Sequence, residues 1–449
     1  MIMSISLSYS IIVPFTPEAL FSYFEKPDVI YRLAPPWEKV RSIHKLPGLQ
    51  DGDITHVKMV SRDWIAKITQ VEKPNRFTLE QIVGPFENFK NEFIFESVAE
   101  GQTKLSLNFI FTPKGGRVGQ YLLKKSAEKR IQALVNFRFE TITNDLLHKE
   151  LESKKREKII LAGGSGFVGS YLKKILELFG YEVKSLVRKE SFDPHEVFWD
   201  PDKKVLNLKE IEGAKAIINL CGESIFSLRW TQKKKKRILT SRINPTEFLA
   251  EAINSLDYPP KYYLVSSAIG FYGDRQESVT ELSSKGVGFL SDVVAAWEEA
   301  AQKCTKSSVV HARFGVVFGP KGGILKKLAT AYRFYLGAQI GADEKISWIS
   351  LDDLGYQILF ILKQESPCKI YNITSNEVIS NKELSEDLSS VLGKKVFFKI
   401  PKWLIKLMCG EASTLFISSC QAYPKNLLES GAKFSYPNFK KTLHHYFLR

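Results

Sequence analysis

Cysteine is scarce in this chain. Five are scattered through 449 residues, at 221, 304, 368, 409 and 420, with no CxxC pair, which excludes a disulfide framework and a cysteine zinc site. The seven histidines are dispersed apart from His444 and His445, and no HExxH spacing occurs, so a histidine-held metal is not expected. Long apolar runs are missing too: none approaches the roughly 18 residues that a membrane span needs. The opening MIMSISLSYSIIVPF lacks a positive leader region and breaks at Pro14. A cytoplasmic protein with no membrane partner is the expectation. Nor is there a low-complexity tract, and 44% hydrophobic with 25% charged residues is the composition of a folded globular chain.

What is present is length and positive charge. The length suits two or three domains, each able to bury a core. The net charge of +15 is uneven, with 20 basic against 17 acidic residues in 1–150 and 44 against 32 afterwards. Its densest run, Lys233 to Arg237, lies on an expected helix, where five consecutive cations wrap around the axis. A solvated helix face is favoured over phosphate binding, and no specific nucleic-acid partner is expected.

SISLSYSII alternates like a strand, and Thr16 with Pro17 provides an N-cap and a first-turn proline for a helix through PEALFSYFEK. Strand-like runs KVRSIHKL, THVKMV, WIAKITQVE, FTLEQIV, NEFIFESV and KLSLNFIF follow, separated by turn signals such as GLQDGD and KPNR. From Val118 a helical stripe takes over, with Ile131, Val135, Phe139, Ile142 and Leu146 on one face. With RLAPPWEKVR, the GLQDGD turn and VGPFENFKNEF, residues 1–152 resemble the START-like (SRPBCC) helix-grip family of hydrophobic-ligand-binding domains, an α+β fold. Trp37, Phe86 and Phe89 are candidate cavity-lining residues, with plain core as the alternative. LESKKREK, which has no Gly or Pro, is expected to continue the closing helix.

KIILAGGSGFVGSYLKKILELFG is the most informative stretch. A buried strand, a glycine turn and an amphipathic helix succeed one another where a dinucleotide fingerprint must sit. Gly163 permits the turn, Gly166 lets the backbone approach a pyrophosphate, and Gly169 allows close helix packing; Phe167 and Val168 open the helix whose N-terminus favours the anion. YEVKSLVR ends in Arg188, where an NAD site would carry an acid, so a 2′-phosphate and hence NADPH in preference to NADH is expected. KAIINLCGES is another buried strand, ending near Asn219 and Gly222, both expected at the cofactor.

AGGSGFVGS, NLCGESI, RWT with TSRI, SSAIGFYGD, FLSDVVAAWE, RFGVVFGPKGG, WISLDDL and PKWLIKLMCGEAS follow in order. On these motifs, residues 157–449 resemble the epimerase-like, atypical branch of the short-chain dehydrogenase/reductase superfamily, with a C-terminal substrate region from about 320. The resemblance implies a Rossmann-type doubly wound parallel sheet and homodimers. The superfamily's catalytic Tyr and the Lys four residues later fall on Phe289 and Val293, which cannot transfer a proton. Ser266, Ser267 and Tyr272 are the candidate replacements, Ser267 and Tyr272 being the two assigned to catalysis, and Arg229, Trp230 and Arg242 are candidates to face the substrate. Two functions stay open: an NADPH-dependent oxidoreductase or epimerase-like enzyme on a small apolar molecule, and a non-catalytic NADPH-binding module coupled to a hydrophobic-ligand-binding domain.

Overall fold

The computed structural model describes residues 4–26, 29–38, 40–43, 48–59, 63–114, 116–341, 343–396 and 398–447. Contacts divide it into two compact units, Met1–Glu150 with His445–Arg449, and Leu151–His444.

The first unit is one seven-stranded antiparallel sheet with a long helix. Its strands are β1 (Ile5–Val13), β2 (Val40–Ile43), β3 (Ile54–Met59), β4 (Asp63–Glu72), β5 (Arg76–Val83), β6 (Phe86–Ala99) and β7 (Gln102–Pro113). Their order, β1-β7-β6-β5-β4-β3-β2, is a meander closed by pairing the first strand with the last. Parts of two expected strands, residues 39, 44–46 and 60, lie outside the described residues. The helix Pro17–Phe24 starts as its cap dictates, Thr16 accepting from the Ala19 amide at 3.3 Å. It drops Phe21 and Phe24 onto Phe77, Phe93 and Phe95, where Phe77 and Phe93 stack at 4.4 Å. The helix Gly116–Leu147 buries the whole stripe of Ile131, Val135, Phe139, Ile142 and Leu146. Trp37, Phe86 and Phe89 are half-buried, each against another aromatic ring.

LESKKREK does not continue that helix. A 3₁₀ turn at Lys149–Leu151 follows it, and Arg156 adopts a left-handed φ of 48°, which a helix cannot contain. The second unit then begins with β8 (Lys158–Ala162), β9 (Glu182–Val187), β10 (Glu196–Asp200), β11 (Val205–Leu206), β12 (Ala216–Asn219) and β13 (Tyr262–Ala268). After β14 (Ser278–Val279) come β15 (Ser308–Phe314), β16 (Val316–Phe318), β17 (Ala338–Ile340), β18 (Lys345–Ser350) and β19 (Ile370–Ile373). The main sheet runs β11-β10-β9-β8-β12-β13-β15-β19, parallel from β10 to β19, with the order reversing at β8. That reversal opens a crevice at the carboxyl ends of β8 and β12. Helices Phe167–Leu178, Gln232–Asn254 and Phe289–Gln302 provide crossovers. β20 (Val378–Ser380) pairs with β18, β21 (Phe398–Ile400) with β17, and β22 (Gln421–Ala422) with β14. Among the described residues no helix is long and apolar enough to cross a membrane.

Candidate nucleotide and substrate site

The glycine loop is built so that two side chains are forbidden. Gly163 has φ of 81°, and a Cβ there would lie 2.9 Å from the Leu220 carbonyl group. A Cβ on Gly169 would lie 2.2 Å from the Gly163 oxygen, so the helix can sit this close to the turn only with glycine there. Gly166 is the N-cap of Phe167–Leu178 and brings no side chain to it, leaving that helix end to an external anion. Val168 lies half-buried in the first turn. Beside the loop, the Ser185 hydroxyl is buried without a hydrogen-bond partner, 3.1 Å from where a Cβ of Gly164 would stand. An orphaned hydroxyl against a side-chain-free turn fits a bound polar group. Arg188, just past β9, is 60% exposed and only loosely paired with Asp202 at 3.5 Å. Its charge reaches Cys221 in the loop after β12, although burial dominates there and pushes that thiol up to about 12. These residues fit a dinucleotide cofactor.

Asn219 departs from expectation. It is fully buried, donating to Thr246 at 2.8 Å and accepting the Cys221 amide at 3.0 Å. A buried amide must satisfy itself internally, so this side chain shapes the loop and does not face the crevice. Gly222 makes room for a side chain: a Cβ there would lie 3.1 Å from the Arg242 guanidinium carbon.

Past the carboxyl ends of β13 and β15 lies a cavity of about 550 Å³. Phe289 and Val293, at the positions of the superfamily Tyr and Lys, are on its wall. So are Phe167, Trp230, Trp297 and Arg242. Arg242 lies over the Trp297 ring at 5.2 Å and donates to the carbonyls of Ile238 at 2.9 Å and Glu223 at 3.1 Å. Burial lowers it to about 10, with Glu223 opposing. Among the described residues its charge therefore has carbonyls but no directly bonded carboxylate around it. The C-terminal region contributes Gly323, Ile324, Ser347 and Leu415 to the wall. Phe167 is pinched by the GPKGG turn, where a Cβ on Gly319 or Gly322 would clash with its ring and one on Gly323 would press against it at 3.0 Å.

Ser267 and Tyr272 are not on that wall. The Ser267 hydroxyl donates to Glu298 at 2.6 Å, and the Tyr272 hydroxyl donates to Asn372 at 2.7 Å while accepting from Arg313 at 2.9 Å. Both are buried, and their hydroxyls are consumed by protein partners, so the expectation that they touch substrate is withdrawn. Glu298 and Arg313 are the functional-looking pair that sequence reasoning missed. Burial acts to raise Glu298, but the Arg313 hydrogen bonds and charge bring it below its ordinary value. Charged residues in the otherwise apolar patterns of VVHARF and AAWEEA are the signal that could have found them. Arg229 also points elsewhere, donating to the carbonyls of Met408 and Leu407 at 2.9 and 2.7 Å. Of the basic run, Lys234 and Arg237 pair with Glu223, and Lys235 with Glu411; Lys234 and Lys235 are largely shielded, at 17% and 21% exposed, and of these three only Arg237 lies open to solvent.

Fold and site together define a Rossmann-type doubly wound protein with a helix-grip unit ahead of it. The chain belongs to the NAD dependent epimerase/dehydratase family, whose model matches residues 159–374. Residues 13–138 match the polyketide cyclase / dehydrase and lipid transport family, and 400–446 match a domain of unknown function, DUF1731. The epimerase family protein YfhF of Bacillus subtilis is 30% identical over 294 residues, 64% of this chain and 96% of that protein. Among solved structures, human epimerase family protein SDR39U1 with NADPH is 26% identical, with a TM-score of 0.59 over 64% of this chain and 98% of that one. A nucleoside-diphosphate sugar epimerase from Corynebacterium glutamicum shares the fold, at 24% identity and a TM-score of 0.78, over 98% of this chain and 89% of that one.

Proposed function

We propose that the protein is an NADPH-dependent oxidoreductase or epimerase-like enzyme acting on a small, apolar molecule. The cavity carries this reading: about 550 Å³ beyond the sheet's carboxyl edge, walled by Phe289, Val293, Trp230 and Trp297, with Arg242 as a buried cation. NADPH, the nucleotide seen with the human relative, would be held by Gly163, Gly166, Gly169 and Arg188. When bound, it supplies a hydride. The chain's own residues then exclude water with apolar walls, orient the acceptor, and place the Arg242 guanidinium to receive an oxygen gaining negative charge. With Phe289 and Val293 in place of the superfamily's Tyr and Lys, that proton-transfer pair contributes nothing, which favours acceptors such as quinones, whose reduction depends less on a protein acid.

The test is NADPH oxidation by the full chain across quinones, aldehydes, ketones and nucleotide sugars. Turnover with quinones, falling at least about ten-fold in Arg242→Gln with NADPH affinity kept, is the expected result. A second reading has its own support in Phe289 and Val293: a non-catalytic NADPH-binding module beside a hydrophobic-ligand-binding unit. Tight NADPH binding without turnover on the whole panel would establish it instead.

A further inference from the structure

The helix Lys402–Cys409 has two apolar sides. Inward, Ile405 and Cys409 pack with Trp230, Ile238 and Val293, three residues of the cavity wall. Outward, Trp403 is 66% and Leu407 65% exposed, with Met408 half-exposed beside them. Just before it, β21 pairs with β17, and that ribbon exposes Phe398 at 58%, while Phe334 and Leu336 stand exposed ahead of β17. Exposed aromatic and aliphatic residues on this scale mark a contact surface.

Lysines are interleaved with them. Lys394, Lys395, Lys399, Lys402 and Lys406 fall in 394–410, a stretch without one acidic residue. Lys402 pairs with Glu344 at 2.5 Å and Lys394 lies over the Tyr335 ring at 3.8 Å. Lys395, Lys399 and Lys406 have no carboxylate partner among the described residues. The helix is held in place from behind, since Arg229 occupies the carbonyls of Leu407 and Met408 at its end.

We propose that this face docks on the surface of an anionic lipid bilayer. The cores of protein interfaces are depleted in lysine, whereas lysines among Trp, Phe and Leu suit a membrane boundary. There, the alkyl stems lie along apolar surface and the ammonium groups reach the phosphates. The expectation of no membrane partner came from the lack of a spanning segment, which surface docking does not require. Docking here would bring the bilayer next to the wall of the apolar cavity. The inference does not depend on the proposed chemistry.

The experiment is co-sedimentation of the full chain with vesicles of phosphatidylcholine alone and of phosphatidylcholine with phosphatidylglycerol. Binding to the anionic vesicles alone, weakened by salt, is expected. Lys399→Glu with Lys406→Glu should lower the bound fraction at least about ten-fold, and Trp403→Ala with Leu407→Ala comparably, with Tm and NADPH affinity unchanged. Lys406→Glu alone, at an exposed position, decides the matter if the apolar double variant folds poorly. Equal sedimentation with both vesicle types, or none with either, overturns the proposal. So does a dimer in sedimentation velocity that Leu407→Asp disperses, which would assign the face to a second copy of the chain.

Discussion

Arg313 and Glu298 form a two-pronged ion pair inside the doubly wound unit, Nε to Oε1 at 2.8 Å and Nη2 to Oε2 at 2.7 Å. The guanidinium carbon also lies over the Phe271 ring, 3.6 Å from its centroid, and the group donates to Tyr272. Ser267, the register partner of Arg313 across β13 and β15, completes the cluster through Glu298. One ion pair therefore pins the ends of two central strands to the 3₁₀ turn Ile269–Tyr272, which borders the cavity.

Removing one member of this pair leaves the other charged and buried. Arg313→Met or Glu298→Gln should each cost about 3–5 kcal/mol of stability, while replacing both by Met should recover much of it. Denaturant unfolding of the two single variants and the double variant measures the coupling.

Ser267→Ala removes one hydrogen bond to a carboxylate and touches neither nucleotide loop nor cavity wall. Stability should fall by roughly 1–3 kcal/mol and NADPH affinity should be unchanged, as read by denaturation and calorimetry. A loss of NADPH affinity would return this serine to the cofactor.

Arg188 stands free enough to meet a phosphate. NADPH should bind more tightly than NADH, and Arg188→Ala should lose most of the difference, about 1.5–3 kcal/mol for a charge-assisted hydrogen bond. Equal wild-type affinities in calorimetry would remove this arginine from the site.

Asp353 accepts the backbone N–H groups of Ser435 and Tyr436 at 2.8 and 3.0 Å from a fully buried position. Burial raises its carboxyl to about 7, against the pull of those two donors. The folded state then keeps a proton that the unfolded chain loses near pH 4, so this group's stabilisation is complete below that pH and is lost as pH rises through 7. The loss amounts to at most roughly 4 kcal/mol. Across that window wild-type Tm should fall more steeply with pH than that of Asp353→Asn, and parallel curves would contradict the assignment.

The nucleotide loop was legible because its demands are local: a positive φ at Gly163 and a forbidden Cβ at Gly169 act within seven residues of chain. The Thr16 cap and the Ile131 to Leu146 stripe were readable for the same reason. Ser267 and Tyr272 were misassigned because what determines their role lies far away, at Glu298 and at Arg313 and Asn372. A hydroxyl at a strand end looks available in sequence until its partner is found. The exposed face at Trp403 was hidden by its pattern, since apolar residues on both sides of a short helix read as core.

Phe167 begins the helix that would meet the nucleotide phosphates, yet its ring is clasped by Gly319, Gly322 and Gly323, in the turn leading into a helix that helps wall the cavity. The ring fills space that missing side chains leave open, so a methyl group at Gly322, 2.2 Å from a ring carbon, would displace it. The glycines thus act as a socket, fixing by what they lack where the first residue of that helix can sit.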